Sequence, residues 1–190
     1  TDMEVTQICA SRSRVLGQYH MMTGMNPVYI ISAGGKKMAS GILITAISSG
    51  SGKTAAACAL MAAYQAQNKK VSSCKCGPDY IDPMFHKEVL GVDSKNLDLF
   101  FSSEDELRKE YAKHAADAEL VITEGVMGYY DGMRLDSVTA SSYDVARTLD
   151  IPAVLILPCK GAALSLCAVV SGIVSFQKDS NIQGIILNRV

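Results

Sequence analysis

The sequence predicts an α/β fold, a parallel β-sheet flanked by helices. Three observations predict it. From residue 38 onward, short apolar runs alternate with helical stretches, the order that successive βαβ units produce. The runs have no clean period of two, which fits strands buried on both faces. A Gly/Ser-rich segment ending in Gly52-Lys53-Thr54 joins the first run to the first helix, where a parallel sheet can bind phosphate.

The elements follow in order. Residues 1–37 form an N-terminal extension with no assigned role, in which Val28 to Ile31 could make a short strand. Residues 42–47 are a continuous, mostly branched apolar run and open the domain, which extends over 38–190. Residues 54–67, rich in Ala, Leu and Met, favour a helix. Residues 70–75 read as a short strand and 82–90 as a short helix. Ser103-x-x-Glu106 is a capping box opening a helix to about residue 116. Residues 120–123 make a strand, 142–149 a helical turn or two, 153–157 a strand, 162–176 a helix and 182–187 a last strand.

Composition narrows the function classes. A chain of 190 residues that is 48% apolar and 19% charged can bury a core, so wholesale disorder is excluded. With 18 Lys plus Arg against 19 Asp plus Glu, a general electrostatic grip on nucleic acid or an anionic membrane is disfavoured. No nucleic-acid or membrane partner is expected. The longest uncharged apolar stretch, residues 161–176, is too short for a span and reads as a buried helix. Asp2, Glu4, Arg12 and Arg14 leave no apolar signal core in the first residues. A cytoplasmic location is expected, with Cys9, Cys58, Cys74, Cys76, Cys159 and Cys167 as reduced thiols. Cys74 and Cys76 lack a second pair at zinc-site spacing.

Three clusters carry chemistry. In Ser48-Ser49-Gly50-Ser51-Gly52-Lys53-Thr54, glycines let backbone N–H groups turn inward around phosphates, and the following helix directs its positive end at them. Lys53 would reach the terminal phosphates of ATP, and the Thr54 hydroxyl would meet Mg²⁺. This predicts a P-loop NTPase, although the first glycine of the strict pattern falls on Ile47. A plain Gly/Ser turn capping a helix is the alternative. The second cluster, Lys75-Cys76-Gly77-Pro78-Asp79-Tyr80-Ile81-Asp82-Pro83, follows a strand, so one Lys and two Asp could face a charged substrate and a metal. Equally, its Asp residues could cap the next helix. His86 could contact substrate or simply pack. In the third cluster, Glu124-Gly125-Val126-Met127-Gly128, the Glu at a strand end can hold Mg²⁺ or stand exposed.

With these strings in view, the chain resembles the cobyrinic acid a,c-diamide synthase family, specifically its N-terminal synthetase domain. The resemblance rests on residues 49–54 and 75–86, on Asn96-Leu97-Asp98, on Glu124 to Gly132, and on Gly184 to Asn188. It implies a dethiobiotin synthetase-like fold and ATP- and Mg²⁺-dependent amidation of corrin carboxylates through an acyl phosphate. By the same resemblance, Ser49, Gly50, Ser51, Gly52, Lys53 and Thr54 hold ATP, with Asn188 near the adenine. Lys53 and Lys75 steady the transferred phosphoryl group. Thr54, Asp79 and Glu124 surround Mg²⁺. Tyr80, Asp82 and His86 face a tetrapyrrole acid, and Asp82 helps ammonia attack. The family takes ammonia from glutamine in a separate glutaminase domain, of which this sequence shows no motif, and a homodimer is plausible. Ala46 stands where the family's loop usually has Gly, and Cys74 replaces an aromatic. Two rivals remain: amidation of a nickel tetrapyrrole, and a ParA/MinD-type ATPase switch, whose early loop Lys is Ser48 here.

Overall fold

The structure, a computed structural model, describes residues 40–190. The N-terminal extension, with its strand at Val28 to Ile31, lies outside the described residues. The described chain runs β1 (Ser40–Ala46), α1 (Lys53–Gln65), β2 (Val71–Cys76), α2 (Ile81–Leu90), β3 (Ser94–Leu97), α3 (Glu104–Ala115), β4 (Leu120–Glu124), α4 (Ser142–Leu149), β5 (Ala153–Pro158), α5 (Ser165–Phe176) and β6 (Ile182–Asn188).

The strands form one six-stranded sheet in the order β3-β2-β4-β1-β5-β6. All neighbouring pairs are parallel. The apolar run of β1 explains its central place, because successive side chains point to opposite faces and both faces are covered. Leu43 packs in a layer with Leu107 and Tyr111 of α3, Val145 and Leu149 of α4, and Leu155. Ile42, Ile44 and Ala46 point the other way, onto Ala57 and Met61 of α1 and onto Ile122 and Ile156. The two layers are thus the two faces of the sheet. Parallel register sets the strand ends level: Lys75 pairs with Glu124, and Glu124 with Ile44.

Most predicted elements form within a few residues of their expected limits. The capping box is present in both halves: Ser103 Oγ accepts from the Glu106 N–H, and the Glu106 carboxylate accepts from the Ser103 N–H. Two features depart from expectation. β3 has the sequence Ser-Lys-Asn-Leu with only Leu97 buried, and such a short, polar edge strand carries no periodic signal. Residues 161–176 are not a buried helix. The helix begins at Ser165, and only Val170 is buried. Ile173 and Val174 pack on the core while Leu164, Val169 and Phe176 remain exposed. Cys58, Cys74, Cys76 and Cys159 are free thiols, as expected; Cys167 is disulfide-bonded, which corrects the expectation that it is a reduced thiol. No helix among the described residues is long and apolar enough to cross a membrane.

Candidate active site at the strand ends

The loop after β1 is shaped by two glycines in the left-handed region, Gly50 (φ 72°) and Gly52 (φ 102°), where side chains bearing a Cβ are strained. Ser51 Oγ donates to the Ser48 carbonyl at 3.0 Å and closes the turn. Gly52 caps α1 without a side chain, and the first turn holds no acidic residue. The leading N–H groups and the positive end of the helix dipole are therefore left for an anion. Lys53 is buried and folds back across the loop. Its Nζ donates to the carbonyls of Ser48 at 3.0 Å and Met127 at 2.6 Å. Burial, then the nearby Lys75 charge, hold its pKa below the ordinary lysine value.

One hydrogen bond from this loop stands a second cluster. Thr54 Oγ1 donates to Glu124 Oε1 at 2.6 Å. The same oxygen accepts from Lys75 Nζ at 2.9 Å, and Lys75 also reaches Asp82 Oδ2 at 2.5 Å and Asp79 Oδ2 at 3.6 Å. The β2–β4 register places Lys75 beside Glu124, and the first turn of α2 brings Asp82 over them. Burial opposes the charge on Lys75. The Glu124 carboxylate and the hydrogen bonds to Asp82 and Glu124 outweigh it, so the pKa of Lys75 lies above the ordinary value. Asp79 serves partly as a helix cap: its Oδ1 accepts from the N–H groups of Ile81 and Asp82. Burial works against its ionisation, but these N–H groups and Lys75 hold its pKa below the usual range. Tyr80, 74% exposed, stands at the rim.

Thr54, Lys75, Asp79, Asp82 and Glu124 are thus brought together, with Lys53 beside Thr54 at the start of α1. Ser49 and Gly50 are exposed on the loop, and Ser51 is buried within it. Asn188 lies at the loop's back, its Nδ2 donating to the Ser51 carbonyl at 2.8 Å. Arg189 donates likewise to the Gly50 carbonyl. The suggested substrate contact at His86 needs correction. Its side chain is 0% exposed and sits behind Glu124, enclosed by Ser73 and Ser94, so it has no surface to offer a substrate.

Several residues that build the site are not evident as site residues in the sequence. The loop after β4 lies against β1: the N–H of Gly125 donates to the Ile44 carbonyl and that of Tyr129 to Ala46. A Cβ on Gly128 would come within 2.8 Å of the Ile47 carbonyl, and one on Gly125 within 2.7 Å of Ser142 Oγ. The glycine spacing of the third cluster is the trace of this close approach. Ser142 bridges the Val126 N–H and carbonyl, and Asp131 accepts from the Gly128 N–H at 2.8 Å. Met127, with φ 48°, turns its carbonyl onto Lys53. No local sequence pattern marks Ser142.

The donor set can be tested against Mg²⁺. Among the described residues, no three carboxylate, imidazole or thiol groups form a ready-made cation cage; the carboxylates gather on the Lys75 ammonium instead. Mg²⁺ takes one or two carboxylates, with phosphate oxygens and water completing its shell. The Thr54 hydroxyl and the Glu124 carboxylate, hard oxygens beside the phosphate loop, fit that requirement.

The chain is similar to several known proteins. Residues 42–190 match the family profile described as the CobQ/CobB/MinD/ParA nucleotide binding domain. The chain is 41% identical over 149 residues to a protein of Synechococcus sp. named cobyrinate a,c-diamide synthase, and 43% identical over 149 residues to one of that name from Gloeobacter violaceus. Each alignment takes in 78% of this chain and 33% of the relative, so the chain spans a third of the length of these curated relatives. Among solved structures, the signal recognition particle receptor FtsY from Elizabethkingia anophelis in complex with GDP superposes with a TM-score of 0.59 at 10% identity, covering 97% of this chain and 55% of that one. At that identity the likeness shows the fold alone. The phosphate loop, the acidic strand end beside it and the profile spanning nearly all of the described residues lead to one assignment: the chain belongs to the CobQ/CobB/MinD/ParA nucleotide binding domain family.

Proposed function

We propose that the chain is the ATP-binding synthetase domain of an amide-forming carbon–nitrogen ligase. It acts on the a and c carboxylates of cobyrinic acid or a related tetrapyrrole acid. One observation carries the reading: Lys75, enclosed by Glu124, Asp82 and Asp79, shares Glu124 Oε1 as an acceptor with Thr54 of the phosphate loop. These charged groups stand where a substrate carboxylate and a nucleotide can meet. The names of the relatives support the substrate.

A carboxylate accepts ammonia poorly because its leaving group would be oxide. Attack of the carboxylate oxygen on the γ-phosphorus breaks the bond to the bridging oxygen, releases ADP and leaves an acyl phosphate. Ammonia then adds to the acyl carbon, the carbon–oxygen bond breaks, and phosphate departs. In this reading the backbone N–H groups of residues 49–54 cradle the phosphates, and Lys53 exchanges its carbonyl partners for phosphate oxygens. Lys75 orients the substrate carboxylate and steadies charge on the moving phosphoryl group. Thr54, Glu124 and Asp79 would hold Mg²⁺, which when bound neutralises phosphate charge. Asp82 takes the proton that ammonia sheds. Tyr80 meets the tetrapyrrole at the rim, and Asn188 supports the nucleotide from the loop's back. Ammonia comes from glutamine through a glutaminase domain, and the enzyme works in the cytoplasm.

A partition-type ATPase switch is the second reading, since the family description includes MinD and ParA. Ser48 in place of the early loop Lys weighs against it. The test supplies tetrapyrrole acids with ATP, Mg²⁺ and free ammonia, and follows each acid-to-amide conversion by mass. The expected result is amidation of cobyrinic acid, with acid-driven ATP turnover abolished in Lys53→Ala and Asp79→Asn. A nickel tetrapyrrole as the better substrate would move the assignment within the class. ATP hydrolysis only on a protein partner, with no acid amidated, would overturn it.

A further inference from the structure

His86 lies on α2, fully buried, although it carries a polar ring next to the site. Its Nδ1 is 3.0 Å from Ser73 Oγ and 3.4 Å from Ser94 Oγ. Its Nε2 faces Glu124 Oε2 at 3.7 Å. Both of these atoms are buried and neither has a hydrogen-bond partner, a rare condition for buried polar atoms. The other Glu124 oxygen accepts from both Thr54 and Lys75. So one edge of the carboxylate addresses the phosphate loop, and the other addresses the imidazole.

The separation exceeds hydrogen-bond length, and a small rotation of either side chain closes it. The serine hydroxyls fit either ring tautomer, and the Glu124 oxygen opposite Nε2 selects between them. Each can donate to Nδ1, and an Nδ1 that accepts leaves the ring hydrogen on Nε2. The opposite tautomer would set a nitrogen lone pair against the free lone pairs of Oε2.

We propose that His86 is a positioning residue: its Nε2–H donates to Glu124 Oε2 and locks the carboxylate so that Oε1 stays aimed at Thr54 and the nucleotide-bound cation. It touches neither nucleotide nor substrate and acts through Glu124. The proposal rests on the reading that Glu124 faces the Mg²⁺–nucleotide. It does not require that the acid amidated be a corrinoid.

Two measurements test it without an amidation assay. In the ¹⁵N-histidine-labelled chain, long-range nitrogen–proton spectra distinguish the tautomers, with His86 assigned by its loss in His86→Gln. The Nε2–H tautomer is expected, its proton shifting in Glu124→Gln; an Nδ1–H tautomer overturns the proposal. Titration of Mg²⁺ in the presence of ATP then compares two variants. His86→Gln retains an N–H at the right reach and should stay within about threefold of the parent, whereas His86→Leu should weaken Mg²⁺ binding about ten- to hundredfold. Affinity for ATP without Mg²⁺ should be unchanged in both. A merely structural histidine would lower the melting temperature of the leucine variant and leave its Mg²⁺ dependence intact, and that outcome also overturns the proposal. If His86→Leu does not fold, the tautomer in the parent chain still decides.

Discussion

Two lysines share this site and are stabilised differently. Lys53 is met by neutral carbonyls, and Lys75 by carboxylates. Burial lowers the pKa of both; the Lys75 charge adds to the fall at Lys53, whereas the Glu124 carboxylate and the hydrogen bonds to Asp82 and Glu124 outweigh burial at Lys75, so the two move in opposite directions. A consequence follows for Lys53, whose ordinary value is 10.5. Phosphate binds the ammonium form, so ATP affinity should fall as pH rises toward 10.5, earlier than for a solvated lysine. The stability of the unliganded chain should move the other way. Between the lowered folded pKa and the unfolded one, the unfolded state holds more protons, so this residue's contribution to stability grows with pH. Calorimetric ATP titration and denaturant melts across that window check the two signs, and Lys53→Met should flatten both. At this scale the sequence was informative where chemistry is written into residue type, as in Gly52-Lys53-Thr54 and the Lys75 to Pro83 string. It offered His86 as a substrate contact or a packing residue and did not place it behind Glu124, because that burial is created by strands distant in the chain.

Glycines show how elements constrain one another. At Gly128 the loop after β4 passes so close to the loop after β1 that an added Cβ would lie 2.8 Å from the Ile47 carbonyl. Backbone cannot step aside as a side chain can. Gly128→Ala should therefore destabilise by about 1–3 kcal/mol and weaken ATP binding, because the displaced segment leads into Ser48. Gly172, inside α5 with open space around it, should respond oppositely. Gly172→Ala should stabilise by about 0.5–1 kcal/mol through reduced backbone freedom in the unfolded chain. Chemical denaturation of the two variants checks the opposed signs. Element by element, the apolar runs of β1, β4 and β5 and the Ser103–Glu106 box were readable because each carries its own local cause. β3 was unreadable because its four residues take their conformation from pairing with β2. α5 was misread in burial because an apolar composition does not reveal how many neighbours a helix will have.

For the whole molecule, two apolar layers separated by one sheet provide the rigidity on which the strand ends are lined up. Ile44 belongs to one layer, is 0% exposed, and pairs in register with Glu124. Ile44→Ala should cost about 2–5 kcal/mol. Val169→Ala, on the open side of α5, should stay within about 0.5 kcal/mol of the parent. Urea melts distinguish the two.

The brace behind the phosphate loop has a consequence in time. Asn188 and Ser51 are 137 residues apart in sequence, so a ribosome makes the loop long before the strand that holds its back. Until β6 docks, residues 50 and 51 lack the hydrogen bonds that fix their carbonyls. A growing chain should therefore acquire its grip on phosphate late, so that nucleotide capture would report that the last strand has joined the sheet.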